Sequence, residues 1–184
     1  MPKVVATEEQ WLQKGIERFS QNGIEGLVIE RMSIELGCSK SSFYWYFKNR
    51  GEFVRRVVER WMEQATDQVM QYTKAQGTIE QQINQLLVQM FSVTRKGDFL
   101  FYLRKLSAED PDYQEIIDRM EYERIHFGQE LLEKAGLTPK RAEQKSRILY
   151  HYYLGWYERH KYQHVKEEEV QHHIDMLQSH LLMI

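Results

Sequence analysis

The sequence predicts an all-α protein of about nine helices. Three observations carry this reading. Only 3 Pro and 10 Gly punctuate 184 residues, too few breakers for a fold of many short strands. Apolar residues recur at spacings of three and four rather than two. Hydroxyl-led capping signatures precede several of these stripes, and glycines close them. With 42% hydrophobic and 28% charged residues, the chain is expected to fold around a core and stay soluble.

Thr7-Glu8-Glu9-Gln10 reads as a capping box, with a hydroxyl at the N-cap and Gln at the third helical position. The first helix then carries Trp11, Leu12, Ile16 and Phe19 inward, and Asn22-Gly23 ends it. A second helix is expected over Val28 to Leu36, with Ile29, Met32 and Leu36 on its inner face, stopped by Gly37. Ser39 caps a short third helix ending near Tyr46, and a long fourth runs from Arg50 to about Lys74. Thr78-Ile79-Glu80-Gln81 is a second capping box, leading to Ile83, Leu86, Leu87 and Met90. Asp98 precedes a short apolar helix from Phe99, and Asp110-Pro111 opens a long one that Gly136 stops. Pro at the first helical position suits both Pro111 and Pro139, because its missing N–H would be unpaired there anyway. The helix after Thr138-Pro139 extends to about Tyr162, and a last one spans Val165 to Leu182.

Net charge is −2, but its distribution is uneven. From Gly37 to Arg60 the chain carries six basic residues against Glu52 and Glu59. A basic patch on an acidic protein can engage phosphates while the remainder is repelled. Cys38 is the single cysteine, so no intrachain disulfide can form, which fits a cytoplasmic location. No run approaches the ~18 apolar residues of a membrane span, and no leader pattern opens the chain, so no membrane partner is expected.

The head says most about function. Two short helices joined by Gly37-Cys38-Ser39 make a helix-turn-helix. Gly37 permits the tight turn, and Phe43 and Phe47 face inward. Ser39, Lys40, Ser41, Ser42, Tyr44, Trp45 and Tyr46 are then presented to a groove, where hydroxyls and ammonium groups bond base edges or phosphates. Lys48 and Arg50 follow, placed to hold the sugar-phosphate backbone beside the groove.

From Phe19 to Phe53 the chain resembles the N-terminal domain of TetR-type transcription regulators. Phe19 and Gly23 have that family's spacing, and Leu36-Gly37-Cys38-Ser39 stands for its turn. Ser41-Ser42-Phe43-Tyr44-Trp45-Tyr46-Phe47 stands for its recognition helix, and Asn49-Arg50-Gly51-Glu52-Phe53 for the start of its fourth helix. The departures are Val28 where a Thr is common, Arg50 for Lys, Gly51 for an acidic residue, and a bulky Trp45. Arg keeps the charge but changes the geometry, so no operator sequence carries over. The resemblance implies a DNA-binding domain over residues 1–52 and a ligand-binding and dimerisation bundle over 53–184. It also implies a homodimer on a near-palindromic double-stranded operator, repression released by a small-molecule effector, and no cofactor.

In the body, Tyr150 to Tyr162 is dense in aromatics. Such a stripe is either a pocket wall or plain packing. Tyr102, Tyr122, His126, Tyr150, Tyr153 and Tyr157 are the candidates for an effector chamber. Gly155, Ile174, Leu177 and Leu181 are candidates for a dimer interface, the alternative being the chain's own core. His160 and His164 are four apart, but a loop is expected between them and no third ligand is set by spacing, so no metal is assigned. No Gly-rich phosphate loop, G-x-S-x-G or H-E-x-x-H occurs, and no catalytic residue is assigned. Two other classes remain: an all-helical small-molecule-binding protein or enzyme with a purely structural head, and an adaptor that docks a protein through its Leu/Ile stripe.

Overall fold

The computed structural model describes residues 6–92 and 97–182. Helix is the regular structure throughout them, in nine α-helices with short 3-10 and π segments. These are α1 (Glu8–Asn22), α2 (Ile29–Glu35), α3 (Arg50–Met62), α4 (Gln68–Lys74), α5 (Ile79–Phe91), α6 (Phe99–Ser107), α7 (Pro111–Lys134), α8 (Pro139–His160) and α9 (Glu167–Met176). Both expected capping boxes form: the Thr7 and Thr78 hydroxyls accept from the Gln10 and Gln81 amides, and both Gln side chains answer. The expected third helix is instead a 3-10 segment, Lys40–Trp45.

The described residues fall into two compact units: a head of residues up to 64 with 97–117, and a body of 65–92 with 118–182. The boundary expected at 52/53 does not follow this packing. Gly15 explains why α3 stays with the head. A Cβ there would lie 2.4 Å from Val57 and 2.9 Å from Phe53, so only glycine lets α1 and α3 approach so closely. α6 joins them because Phe99 stacks on Trp61 at 4.4 Å and tilts against Phe19 at 4.5 Å. Asp98 caps α6 by accepting from the Phe101 amide.

The long fourth helix expected to Lys74 is interrupted by a π turn over Glu63–Asp67. Nothing in residue spacing announces it. A π turn shifts the hydrogen-bond register and exposes carbonyls. Arg124 takes up the Ala65 carbonyl at 3.2 Å and the buried Thr66 hydroxyl at 2.9 Å.

The body's core gathers Ile83, Leu87 and Phe91 of α5, Phe127, Leu131 and Leu132 of α7, Ala142 and Leu149 of α8, and Val170 and Ile174 of α9, with Leu177 and Leu182 beyond. This corrects the dimer reading of Ile174 and Leu177. They are 0% and 3% exposed within a single chain, because α9 packs on α5 and the segment that follows it, from Leu177, packs on α8. Leu181 packs against the same core, partly buried. The segment after α9 continues as a π turn, Leu177–Leu182, whose Leu181 and Leu182 carbonyls accept from the Lys145 ammonium.

Candidate nucleic-acid interface

α2 ends in a Schellman turn. The Gly37 amide donates to the Ile34 carbonyl at 3.1 Å and the Cys38 amide to the Ser33 carbonyl at 3.0 Å. This requires the left-handed φ of +64° at Gly37, which other residues adopt only at a cost. Cys38 is half-buried and free. The 3-10 segment then begins. Ser39 occupies its N-cap position but its side chain makes no capping bond; its hydroxyl pairs with that of Ser41 at 2.7 Å instead. The expected side-chain cap is therefore corrected: the tighter 3-10 start is closed by the backbone, Ser42 amide to Ser39 carbonyl, at 2.9 Å.

Phe43 and Phe47 are buried, as their spacing predicts. Phe43 meets the edge of Trp11 at 5.3 Å and of Phe53 at 5.1 Å, and Phe47 meets Phe53 at 4.8 Å. Two aromatic partners, Trp11 of α1 and Phe53 of α3, thus lock the segment's inner side. Ser42 belongs to that side too, which corrects its assignment to the DNA surface. It is 3% exposed, accepts from the Trp11 indole at 3.2 Å and donates to the Ala6 carbonyl at 3.3 Å. Its single O–H is thus spent, and burial keeps the oxygen away from any base. Lys40, Ser41, Tyr44 and Trp45 face outward, Ser39 and Tyr46 are half-buried, and Lys48 and Arg50 are exposed beyond. Tyr44 and Trp45 are 53% and 73% exposed.

The basic stretch is mostly neutralised from within. Arg56 pairs with Glu8, Arg60 with Glu9 and Glu63, and Arg55 with Glu59. Lys40 pairs with Glu30 of α2. The bond raises the lysine's pKa and lowers the glutamate's, since each charge favours the other. The Lys48 and Arg50 side chains have no carboxylate partner among the described residues. Arg50 donates to the Ile24 carbonyl, a neutral group that leaves its charge intact. Asn49 caps α3 by accepting from the Glu52 amide at 2.9 Å, and Glu52 accepts from the Lys48 amide at 2.9 Å. These two bonds hold the start of α3 despite Gly51. Asn three residues before Glu is a readable capping signature; Glu30, ten residues from Lys40 across a turn, leaves no trace in the spacing.

The residues proposed for an effector chamber are scattered. Tyr102 lies in the head, its ring against Gly23 and its hydroxyl donating to the Gln21 carbonyl at 2.8 Å. Tyr122 is 66% exposed and stacks on the exposed His126 at 5.6 Å. These three are corrected: none faces the interior of the body. Tyr150 is buried, with its hydroxyl 3.4 Å from Glu121. Tyr153 and Tyr157 are half-buried neighbours 6.1 Å apart on α8. His160 ends α8 and stacks on Trp156 at 4.5 Å, while His164 lies in the following loop. Among the described residues no group of three or more His, Cys, Asp or Glu could hold a metal ion. No described helix is long and apolar enough to cross a membrane.

No protein-family model and no curated protein matches this sequence. Solved structures do. A transcriptional regulator from Rhodococcus sp. Rha1 superposes with a TM-score of 0.74 over 97% of each chain, at 14% identity. A TetR-family transcriptional regulator from Streptomyces coelicolor superposes at 0.72, over 95% of this chain and 93% of that one, at 14% identity. The fold is that of the TetR-family regulators. A TetR from Acinetobacter baumannii AYE, solved in complex with minocycline, is similar at 0.51 over 97% of this chain and 95% of that one, also at 14% identity. Superposition over nearly the whole length extends the TetR likeness from the Phe19–Phe53 motif to the body, which spacing alone left open.

Proposed function

We propose that this chain is a ligand-responsive transcription regulator, a repressor, that binds a near-palindromic operator in duplex DNA as a homodimer. The observation that carries the DNA reading is the outer side of the 3-10 segment. A soluble head gains nothing by holding a tryptophan 73% exposed and a tyrosine 53% exposed, side by side with the unneutralised Lys48 and Arg50. Large exposed apolar groups rimmed by charge mark interaction surfaces. Here they are displayed on an element that the buried Trp11 and Phe53 immobilise, so the ordering cost is met before DNA arrives.

The homodimer reading is supported by the outward side of α8 and α9. Ile148, Tyr152 and Met176 are exposed there, and a Cβ on Gly155 would meet nothing within 4 Å. The effector reading is supported by Tyr153 and Tyr157, which offer apolar faces with polar tips, and by the minocycline complex of a protein with this fold. For release, the effector must bind the DNA-incompetent state more tightly.

The test is equilibrium binding of the full chain to randomised and selected duplexes across a salt series. Affinity should fall steeply with salt, and Lys48→Ala should reduce the logarithmic slope by about 0.9, the value of one phosphate contact. A chain that bound effectors but no duplex at any salt would instead be an all-helical binding protein with a structural head.

A further inference from the structure

We propose that Glu30 is a specificity-determining residue of the DNA surface: it cancels the charge of Lys40 and fixes where its ammonium stands, so that the reading element grips phosphates poorly. The inference rests on the DNA-binding reading above and assigns a role to a residue that reading does not use.

The geometry is particular to this pair. Glu30 lies in the first turn of α2, and Lys40 opens the 3-10 segment. Their side chains meet across the turn of the helix-turn-helix, which the Schellman bonds at Gly37 and Cys38 hold rigid. Both side chains remain accessible, at 61% for Glu30 and 47% for Lys40, so the pair lies on the surface that a groove would meet. The Glu30 main chain is anchored as well, its carbonyl accepting from the buried Ser33 hydroxyl at 2.8 Å. The side chains of Lys48 and Arg50, by contrast, meet no carboxylate among the described residues. The surface therefore combines a neutral centre with a cationic flank.

The two parts have different uses. Non-specific binding is almost wholly the release of counterions by cations on phosphates. A lysine already held by a carboxylate releases fewer, and the carboxylate repels the backbone. Specific binding depends on donors held at base edges, and a lysine tethered at a set position loses less rotamer freedom when it meets one. Glu30 thus lowers the affinity for arbitrary sequence while sparing or helping the operator.

The experiment compares the full-length wild type with Glu30→Gln, Lys40→Ala and the double variant. Each is measured on a selected operator and on a scrambled duplex over a salt series, with thermal melts to confirm folding. Glu30→Gln should bind the scrambled duplex about two- to fivefold more tightly, the range of an exposed ion pair, and its salt slope there should steepen by up to about 0.9. Its operator affinity should stay level or fall, so the ratio of the two shrinks. In the Lys40→Ala background the same glutamate change should lose most of this gain. Equal gains in both backgrounds would show simple repulsion by Glu30 and overturn the pairing. Equal gains on operator and scrambled DNA would overturn the specificity role. Wild type that binds DNA with Glu30→Gln unchanged would sink this inference alone, whereas no salt-sensitive binding by any variant would sink the DNA reading with it.

Discussion

The 3-10 segment in the head and α9 in the body carry apolar side chains at helical spacing, and their fates differ. In α9 and its extension, Val170, Ile174, Leu177 and Leu182 are all buried. In the 3-10 segment Phe43 is buried while its next neighbours Tyr44 and Trp45 stand in solvent. The difference is one of cover. α9 packs on α5 and its extension on α8, so the whole stripe finds cover. The six-residue segment touches partners on one side only, and Phe43, Phe47 and Ser42 use that side up. The aliphatic stripe is thus the chain's own core, whereas Tyr44 and Trp45, left over once the inner side is filled, are the side chains proposed to meet DNA.

The largest test of that contrast is Leu177→Asp. If Leu177 is core, an unpaired buried carboxylate costs several kcal/mol, and the variant should be largely unfolded by circular dichroism. A folded, monomeric Leu177→Asp protein would return the stripe to an interface. Ser42→Ala asks the same question of the head. It strands the Trp11 indole N–H, so unfolding by urea should show a loss of about 1–3 kcal/mol. The salt slope of DNA binding should be unchanged; a reduced slope with stability intact would put Ser42 back on the phosphates.

Gly155→Arg separates the outer side of α8 from its inner side. The position is open in the single chain, so folding should be unaffected or slightly favoured, since glycine disfavours helix by about 1 kcal/mol. Light scattering after size exclusion should show a dimer in wild type and a monomer in the variant; a dimeric variant would exclude this side as the interface. The smallest effect is expected at His173, beside Phe91 at 4.9 Å and Tyr152 at 5.4 Å. Burial first, then the His160 and His172 charges, lower its pKa from the usual 6.5. The folded state therefore binds fewer protons than the unfolded one as pH drops, and stability is lost as pH falls through the unfolded value near 6.5 and below. Replacing His173 with Phe should flatten that decline between pH 7.5 and 5.5; identical slopes would refute the assignment.

Much of the fold was legible because its signals are local. The Thr7 and Thr78 caps, the left-handed glycines at Gly37 and Gly136, and the inward Phe43 and Phe47 depend on residues within a turn of one another. The proposed DNA surface was legible in part. Lys48 and Arg50 stand exposed as expected, whereas Ser42 turned inward because Trp11, 31 residues away, supplies the donor that claims it.

What the sequence by itself determined was helical class, the order and limits of most helices, and the helix-turn-helix, since capping, periodicity and turn chemistry act over a few residues. Only the tertiary structure decided which stripe is core, that α3 and α6 belong to the head, that a π turn interrupts the helix expected to Lys74, and that Glu30 holds Lys40. Each of these depends on what covers a surface or on which opposite charge reaches it, and both are set by chain segments that fold back from far along the sequence.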